Sequence, residues 1–251
     1  MSGQDYTDLG GAGYVFLTTH WSLIEGIQST TDDKNRSLID RLLKRYWKPV
    51  YCYLRKKGYN NEQAKDLTQD FFHEIVLNRD LVQRADQSKG RFRAFLLHAL
   101  DQYLSHETSK QMAQKRFPKG GFIHLNLSEP PILPTTISEL TPEDSYHYVW
   151  LSELLEQVLA EVETQCHEDG MDLHWKVFGD RIVQPILEDS KPSSLAEICR
   201  KYNIEDERKA ANMAITVKRR FQALLQKYVR NTVSTDSEVT DELQEIMQYL
   251  P

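Results

Sequence analysis

The residues best suited to chemistry lie in two short stretches. The first, residues 65–72, reads Lys-Asp-Leu-Thr-Gln-Asp-Phe-Phe, and its Asp66 and Asp70 stand four residues apart. On a helix this spacing places both carboxylates on one face. The second, residues 90–97, reads Gly-Arg-Phe-Arg-Ala-Phe-Leu-Leu and combines guanidinium groups with aromatic rings. Carboxylates suit a cationic partner and guanidinium groups suit phosphates, so both stretches indicate binding rather than catalysis.

No catalytic motif accompanies these stretches. The sequence has no GxxxxGK[ST], HExxH or GxSxG pattern. The Gly-rich residues 10–13 lack the lysine and the preceding strand of a phosphate loop, and His73-Glu74 lacks a second histidine four residues on. The 3 cysteines have no CxxC spacing, which argues against disulfides and a zinc site and favours buried thiols. We expect a protein that is not an enzyme and has no metal or cofactor.

The composition is that of an ordinary globular chain. Its 251 residues, 40% of them hydrophobic, can bury one large core or two modest ones. The longest apolar runs fall far short of the roughly 20 residues that a bilayer requires. Asp5 and Asp8 stand where a signal peptide would carry Lys or Arg. We therefore expect a cytoplasmic protein without membrane insertion.

The net charge of −6 conceals a strong partition along the chain. Residues 34–119 hold 19 Lys and Arg against 9 Asp and Glu, a net of +10, and residues 195–230 hold 9 against 4, a net of +5. The rest of the chain is acidic. Because phosphate affinity depends on local clusters of charge, two basic blocks favour two nucleic-acid contacts. Solvated helix faces are the alternative interpretation.

Apolar residues recur at helical spacing through the first basic block. This pattern predicts a short helix around Trp21, a long helix over residues 37–57 and a helix from Asn60 or Asn61 to about Asn78. Pro49 lies inside the long helix and predicts a bend, because its ring removes a backbone donor. A further helix begins near Gly90 and changes from an apolar to a basic character along its length.

Residues 117–145 are rich in Pro and predict an extended linker. Helical spacing resumes over residues 150–187, which predicts a second, smaller helical bundle. Residues 195–204 then read as a short helix and residues 208–230 as a longer basic one, a pattern typical of a helix-turn-helix or an ordinary helical hairpin. Asn203 is expected in the left-handed conformation of the turn between them. The predicted fold is therefore all-α, with two helical domains.

With these segments in place, the chain resembles the bacterial RNA polymerase sigma factors of the extracytoplasmic-function (ECF) group, in a branch common in planctomycetes. The resemblance rests on residues 16–23, 46–51, 66–72 and 90–96. It implies a sigma region 2 domain and a sigma region 4 helix-turn-helix domain. The boundaries then expected are an N-terminal extension, region 2, a linker, region 4 and an acidic C-terminal helix, at residues 1–33, 34–116, 117–145, 146–233 and 234–251.

The resemblance also implies partners and site residues. The helix predicted after Asn60 would bind the clamp helices of core RNA polymerase. Its contact residues would be Asp66, Leu67, Gln69, Asp70 and Phe71, although Phe71 also suits a core position. The helix that begins near Gly90 would contact the minus-ten element of promoter DNA. Its polar residues are Arg91, Arg93, His98, Gln102, His106, Lys110, Lys115 and Arg116. Family members carry an Arg-Asn pair where this chain has Asp101-Gln102.

The second basic block resembles region 4, which reads the minus-thirty-five element in the major groove. Base contacts are expected from Arg208, Lys209, Asn212, Met213 and Thr216. Phosphate contacts, which fix register without reading sequence, are expected from the remaining cations of the block. These are Lys201, Lys218, Arg219, Arg220 and Lys227.

The resemblance further implies an inhibitory protein partner. It would be an anti-sigma protein, a cleavable inhibitor or a signalling protein, and some relatives are associated with CRISPR loci that carry a protease. The acidic linker is expected to thread a basic channel of the polymerase or to serve as a plain connection. A helix-turn-helix regulator that acts without core polymerase is the alternative function.

The acidic C-terminal segment carries its own hypothesis. Val239, Leu243, Ile246, Met247 and Leu250 form an apolar stripe on a negatively charged helix. The helix could cover the second basic block and suppress DNA binding, or it could simply pack on the second bundle.

Overall fold

The computed structural model describes residues 21–29, 33–74, 81–113, 140–188, 190–233 and 236–248. Within these ranges every regular element is helical and no strand occurs. The all-α prediction is confirmed for this part of the chain. None of the described helices combines the length and the apolar character needed to cross a membrane.

The chain divides into two compact units. Of the described residues, unit 1 contains those up to Ser152 together with 231–233, and unit 2 contains those between 153 and 230 and those from 236 to 248. The predicted linker lies outside the described residues as far as residue 139. Its predicted end is wrong, because residues 142–145 already belong to a helix, Pro142–Glu168, in which proline occupies the first position. The other predicted domain boundaries stay predictions.

Unit 1 is built on four helices and the start of a fifth. They are α1 (Trp21–Ser29), α2 (Asp33–Lys56), α3 (Asn61–Phe71), α4 (Phe92–Ala113) and the first part of α5 (Pro142–Glu168), with short 3₁₀ turns at Val82–Arg84 and Gln87–Lys89. The helices predicted around Trp21, over residues 37–57, after Asn60 and after Gly90 are all present. The helix predicted after Asn60, α3, ends at Phe71, and the last residues predicted for it, 75–78, lie outside the described ranges. Helix α2 continues through Pro49.

Local sequence explains where these helices begin and end. Asn60 caps α3: its side chain accepts from the Gln63 backbone N–H at 2.9 Å, and the Gln63 side chain accepts from the Asn60 N–H at 3.1 Å. Gly58 lies between α2 and α3 and has a φ of 98°, and Gly90 lies between the second 3₁₀ turn and α4 and has a φ of 119°. Positive φ values of this kind favour glycine.

Aromatic rings join the helices of unit 1. Phe92 of α4 lies edge-on to Trp21 of α1 and Tyr46 of α2, with ring centroids 6.3 and 5.6 Å apart. Tyr53 of α2 meets Tyr146 of α5 at 6.5 Å. Such edge-to-face pairs stabilise a core beyond the area they bury. The apolar positions read from the helical spacing therefore form the interior, as expected.

Unit 2 contains the rest of α5 and the helices that follow it. These are α6 (Asp172–Phe178), a π-helical segment (Gly179–Val183), α7 (Gln184–Leu187), α8 (Leu195–Tyr202), α9 (Glu207–Arg230) and α10 (Asp236–Gln248). Part of its core is formed by Val177, Ile198, Ile204, Ala210, Met213 and Ala214. The chain turns between α5 and α6 at Gly170, whose φ is 67°. Cys52 of unit 1 and Cys166 of unit 2 are buried as predicted, whereas Cys199 is half-buried.

Candidate nucleic-acid and polymerase-binding surfaces

Helices α8 and α9 are joined by a tight turn of the predicted kind. Ser194 caps α8 through a capping box with Glu197. Asn203 ends the helix with φ 52° and ψ 47°, the left-handed conformation expected from the sequence. Ile204 then turns into the core, and Asp206 accepts from the Lys209 backbone N–H at 2.7 Å to start α9. A short helix, a turn and a long basic helix thus follow one another in the predicted order.

All five predicted base-contacting residues of α9 surround one open depression, here called the α9 depression. Its lining is completed by the turn before α9 and by one residue of α6, His174, which the sequence analysis missed because it is distant in sequence. The lining residues are His174, Glu205, Asp206, Arg208, Lys209, Asn212, Met213 and Thr216. The arrangement gathers donors, acceptors and one thioether on a single surface.

The carboxylates beside this surface have local partners. Glu205 pairs with the Lys209 ammonium at 3.2 Å, with both side chains exposed, and Asp206 serves as the helix cap. Thr216 donates from Oγ1 to the Asn212 carbonyl at 2.8 Å. The carboxylates of this turn therefore stabilise the first turn of α9, since negative charge is favourable at a helix N-terminus. Met213 differs from the prediction: although it borders the depression, it is buried in the core cluster with Val177 and Ile198, so its side chain has little surface to offer a base.

Two of the predicted phosphate-contacting residues are engaged within unit 2. Lys201 donates to Asp180 at 2.6 Å, and this hydrogen bond is the main reason why the pKa of Lys201 is raised. Arg220 donates to Asp169 at 2.7 Å. Their first role in this arrangement is to hold α8 and α9 to neighbouring segments. Lys218 and Arg219, in contrast, are exposed on α9.

Helix α4 presents part of the predicted minus-ten surface. His98, Gln102 and His106 follow at four-residue intervals and are exposed, and Arg91 precedes them in a half-buried position. The His98 Nε2 and Gln102 Nε2 atoms lie 2.9 Å apart, a hydrogen-bond distance. The side chain of Lys110 and all of Lys115 and Arg116 lie outside what the structure describes.

Arg93 differs from this prediction. It is buried, and its guanidinium carbon lies 4.5 Å from the centroid of the Trp150 ring of α5. Arg45 of α2 lies 5.5 Å from the same centroid, and Tyr146 donates to the Arg93 carbonyl at 3.1 Å. The tertiary contact with α5 takes this arginine into the core of unit 1. In this arrangement it is not available to a nucleic-acid strand.

Asp101 also has a structural role. It accepts a hydrogen bond from the Tyr53 hydroxyl and pairs with the Lys57 ammonium at 3.3 Å, which ties α4 to the end of α2. Burial and the nearby Asp101 carboxylate raise the pKa of Tyr53. The aspartate at this position therefore stabilises the packing of α4 within unit 1.

Helix α3 carries an acidic face, formed by Asp66 and Asp70 with Leu67 and Gln69 beside them. Both carboxylates are exposed, and Leu67 and Gln69 are half-buried. Burial raises the pKa of Asp70, and the negative charges of Asp66, Glu107 and Glu74 raise it further. Glu107 belongs to α4 and was not anticipated. The face therefore carries like charges that repel one another and that a cationic partner would stabilise.

Phe71 does not belong to this exposed face. It is fully buried, and its ring centroid lies 5.4 Å from that of Phe72 and 5.7 Å from that of Tyr103 on α4. The alternative interpretation of Phe71 as a core aromatic describes the structure. Its contribution to the acidic face is to hold α3 against α4.

Helix α10 packs against α9, and its Val239 and Glu242 are buried. No described residue of α10 lines the α9 depression. The described part of α10 therefore fits the interpretation of a helix packed on the second bundle.

Comparisons with known protein families, with curated proteins and with solved structures gave no match. Within the described ranges, no group of His, Cys, Asp and Glu side chains is arranged to hold a metal ion.

Proposed function

We propose that this protein is a sigma factor of the ECF type. It binds core RNA polymerase, directs it to a two-part promoter, and takes part in melting and transcription initiation in the cytoplasm. On this proposal it has no enzymatic activity of its own, and an inhibitory partner controls it, as the family resemblance implies. The partner would be an anti-sigma protein or a protein from a CRISPR-associated protease locus.

The observation that carries the proposal is the α9 depression. Four of the five residues chosen from the sequence as base readers, Arg208, Lys209, Asn212 and Thr216, line it with exposed side chains, whereas Met213 is buried in the core of unit 2. Arg, Lys, Asn and Thr are the side chains that pair with base edges in the major groove. An α-helix fits that groove, and the start of α9 is where such helices contact bases. Lys218 and Arg219 continue the same helix with charges suited to phosphates.

The acidic face of α3 favours a sigma factor over a regulator that acts alone. A DNA-binding protein gains nothing from exposed carboxylates that repel phosphates, whereas a basic polymerase surface would relieve the repulsion around Asp70. Leu67 adds an apolar contact beside the two charges. The exposed residues of α4 would then meet the minus-ten element, with imidazole and amide groups available to an unpaired base.

The test is recruitment of purified bacterial core RNA polymerase by the full-length protein. Replacing Asp66 by Lys should lower binding by at least tenfold, because it converts an attraction into a repulsion, and should abolish transcription from genomic fragments. Glu25→Lys is the matched control, since Glu25 is an exposed carboxylate on α1. It introduces the same change of charge and should leave binding unchanged.

Two other results would contradict the proposal, the first its docking surface and the second the function itself. If Asp66→Lys and the unsubstituted protein recruit polymerase equally well, the acidic face is not the docking surface. If the protein binds duplex DNA tightly and alone, as a dimer with paired half-sites, and never binds the polymerase, it is a helix-turn-helix regulator.

A further inference from the structure

The solvent-facing side of α9 contains one aliphatic residue among polar and basic ones. Ile215 is 45% exposed. Asn212 stands three residues before it, Arg208 seven residues before it and Arg219 four residues after it. This spacing places all four residues on one face of the helix. Ile215 does not line the α9 depression, but it lies on the exposed side of α9 directly beside Arg208 and Asn212, which do.

Ile215 is not part of the core of unit 2, and its type is not one that favours an exposed helix position. The opposite side of α9 supplies the core through Ala210, Met213, Ala214 and Val217. A β-branched residue is a weaker helix former than the Ala, Lys or Gln that suit an exposed position. Among the described residues, the other large exposed hydrophobic side chains are Ile186 and Leu187, which belong to α7.

The major groove offers one apolar group to such a side chain. Each thymine presents its 5-methyl group there, whereas the other base edges present hydrogen-bond donors and acceptors. Asn212 beside Ile215 matches adenine, and Arg208 matches guanine. An aliphatic side chain about one helical turn after Asn212 would cover a methyl group and exclude water from the neighbouring hydrogen bonds.

We propose that Ile215 is a specificity-determining residue that packs against the 5-methyl group of one or two thymines in the minus-thirty-five element. This inference rests on the proposed function of α9 as a DNA-reading helix. It assigns to the element a thymine preference that depends on a methyl group and on no hydrogen bond.

The experiment uses the full-length protein, alone and with purified core RNA polymerase. Duplexes that bind are selected from a random-sequence library, and each thymine of a selected duplex is then replaced in turn by deoxyuridine, which removes only the methyl group. At one or two positions the unsubstituted protein should lose about fourfold in affinity, since a buried methyl group is worth about 0.8 kcal/mol. Ile215→Ala should show the same loss on the unmodified duplex and no further loss with deoxyuridine.

Ile186→Ala is the matched control, because it removes the same atoms from an exposed isoleucine of unit 2. It should leave the response to deoxyuridine unchanged. If deoxyuridine weakens Ile215→Ala and the unsubstituted protein equally, or weakens neither, the inference is overturned while the proposed function stands. If no sequence is enriched under either condition, the DNA-reading role of α9 fails and the inference fails with it.

Discussion

Two arginines flank the ring of Trp150 in the core of unit 1. Arg93 and Arg45 are both buried, and such burial would be costly for a charged group left in an apolar environment. The guanidinium group is planar and weakly hydrated, so it can stack on an indole ring and lose less than an ammonium would. The same chemistry that made Arg93 a candidate for DNA binding therefore also suits it to the interior.

The acidic face of α3 lowers the stability of the folded protein at neutral pH. Burial and the charges of Asp66, Glu107 and Glu74 raise the pKa of Asp70 above its usual 3.8, so the folded protein disfavours the ionised form. The stabilising effect of this group is complete below its ordinary pKa and is lost as the pH rises through the raised value. At neutral pH the ionised Asp70 opposes folding.

Asp70→Asn should therefore stabilise the protein at pH 7, by about 0.5 kcal/mol for a partly exposed charge. The gain should shrink towards pH 3, where Asp70 is protonated in both states, and should fall at high salt. Urea denaturation at several pH values measures it. Asp40→Asn is the control: Asp40 pairs with Lys44 at 3.2 Å, so its removal should not stabilise. The raised pKa of Asp70 would be contradicted if the stability difference between Asp70→Asn and the unsubstituted protein were less favourable to the variant at pH 7 than at pH 3.

At the scale of the element, the turn between α8 and α9 depends on one backbone conformation. Among the residues that the structure describes, Asn203 is the one other than glycine that has a positive φ. A Cβ in this region collides with the backbone, and Asn tolerates it better than other residues that carry one. Because α8 and α9 share a core with α6, the turn sets where the α9 depression forms.

Asn203→Ala should destabilise the protein by about 1 kcal/mol, and Asn203→Gly should stabilise it by about 0.5 kcal/mol, because only glycine is free of the steric cost. Thermal and urea denaturation measure both. Gly179→Ala provides the comparison, since Gly179 has φ −56° and no atom near an added Cβ, so alanine should stabilise there. Equal stability of the Ala and Gly variants at position 203 would refute the left-handed turn.

The elements could be predicted from the sequence wherever the cause is local. The Asn60 cap, the turn at Asn203 and the helical spacing of α2 depend on residues within a few positions of one another. Phe71 and Arg93 could not be assigned in this way, because their burial depends on Tyr103 and Trp150, which are distant in sequence. His174 was missed for the same reason. The sequence thus indicates which side chains could form a site, and the tertiary contacts decide which of them are exposed.

At the scale of the whole molecule, a net charge of −6 is compatible with DNA binding only if the cations are locally concentrated. Unit 2 divides its cations between two roles. Lys201 and Arg220 pair with Asp180 and Asp169, whereas Lys218 and Arg219 are exposed on α9. The number of positive charges in the basic block therefore overstates the number that can meet phosphates.

This division predicts two different responses to the loss of charge. The double variant Lys218→Gln/Arg219→Gln should bind a short random-sequence duplex less tightly, and the slope of log affinity against log salt should fall by about 2, because each phosphate contact releases a counterion. The matched variant Lys201→Gln/Arg220→Gln loses the same charge but should change the slope little and lower the free energy of unfolding. Fluorescence anisotropy at several NaCl concentrations and urea denaturation measure the two quantities. Equal changes of slope in both variants would show that the ion pairs open on DNA, in which case all four cations would belong to the phosphate-binding surface as the sequence alone predicts.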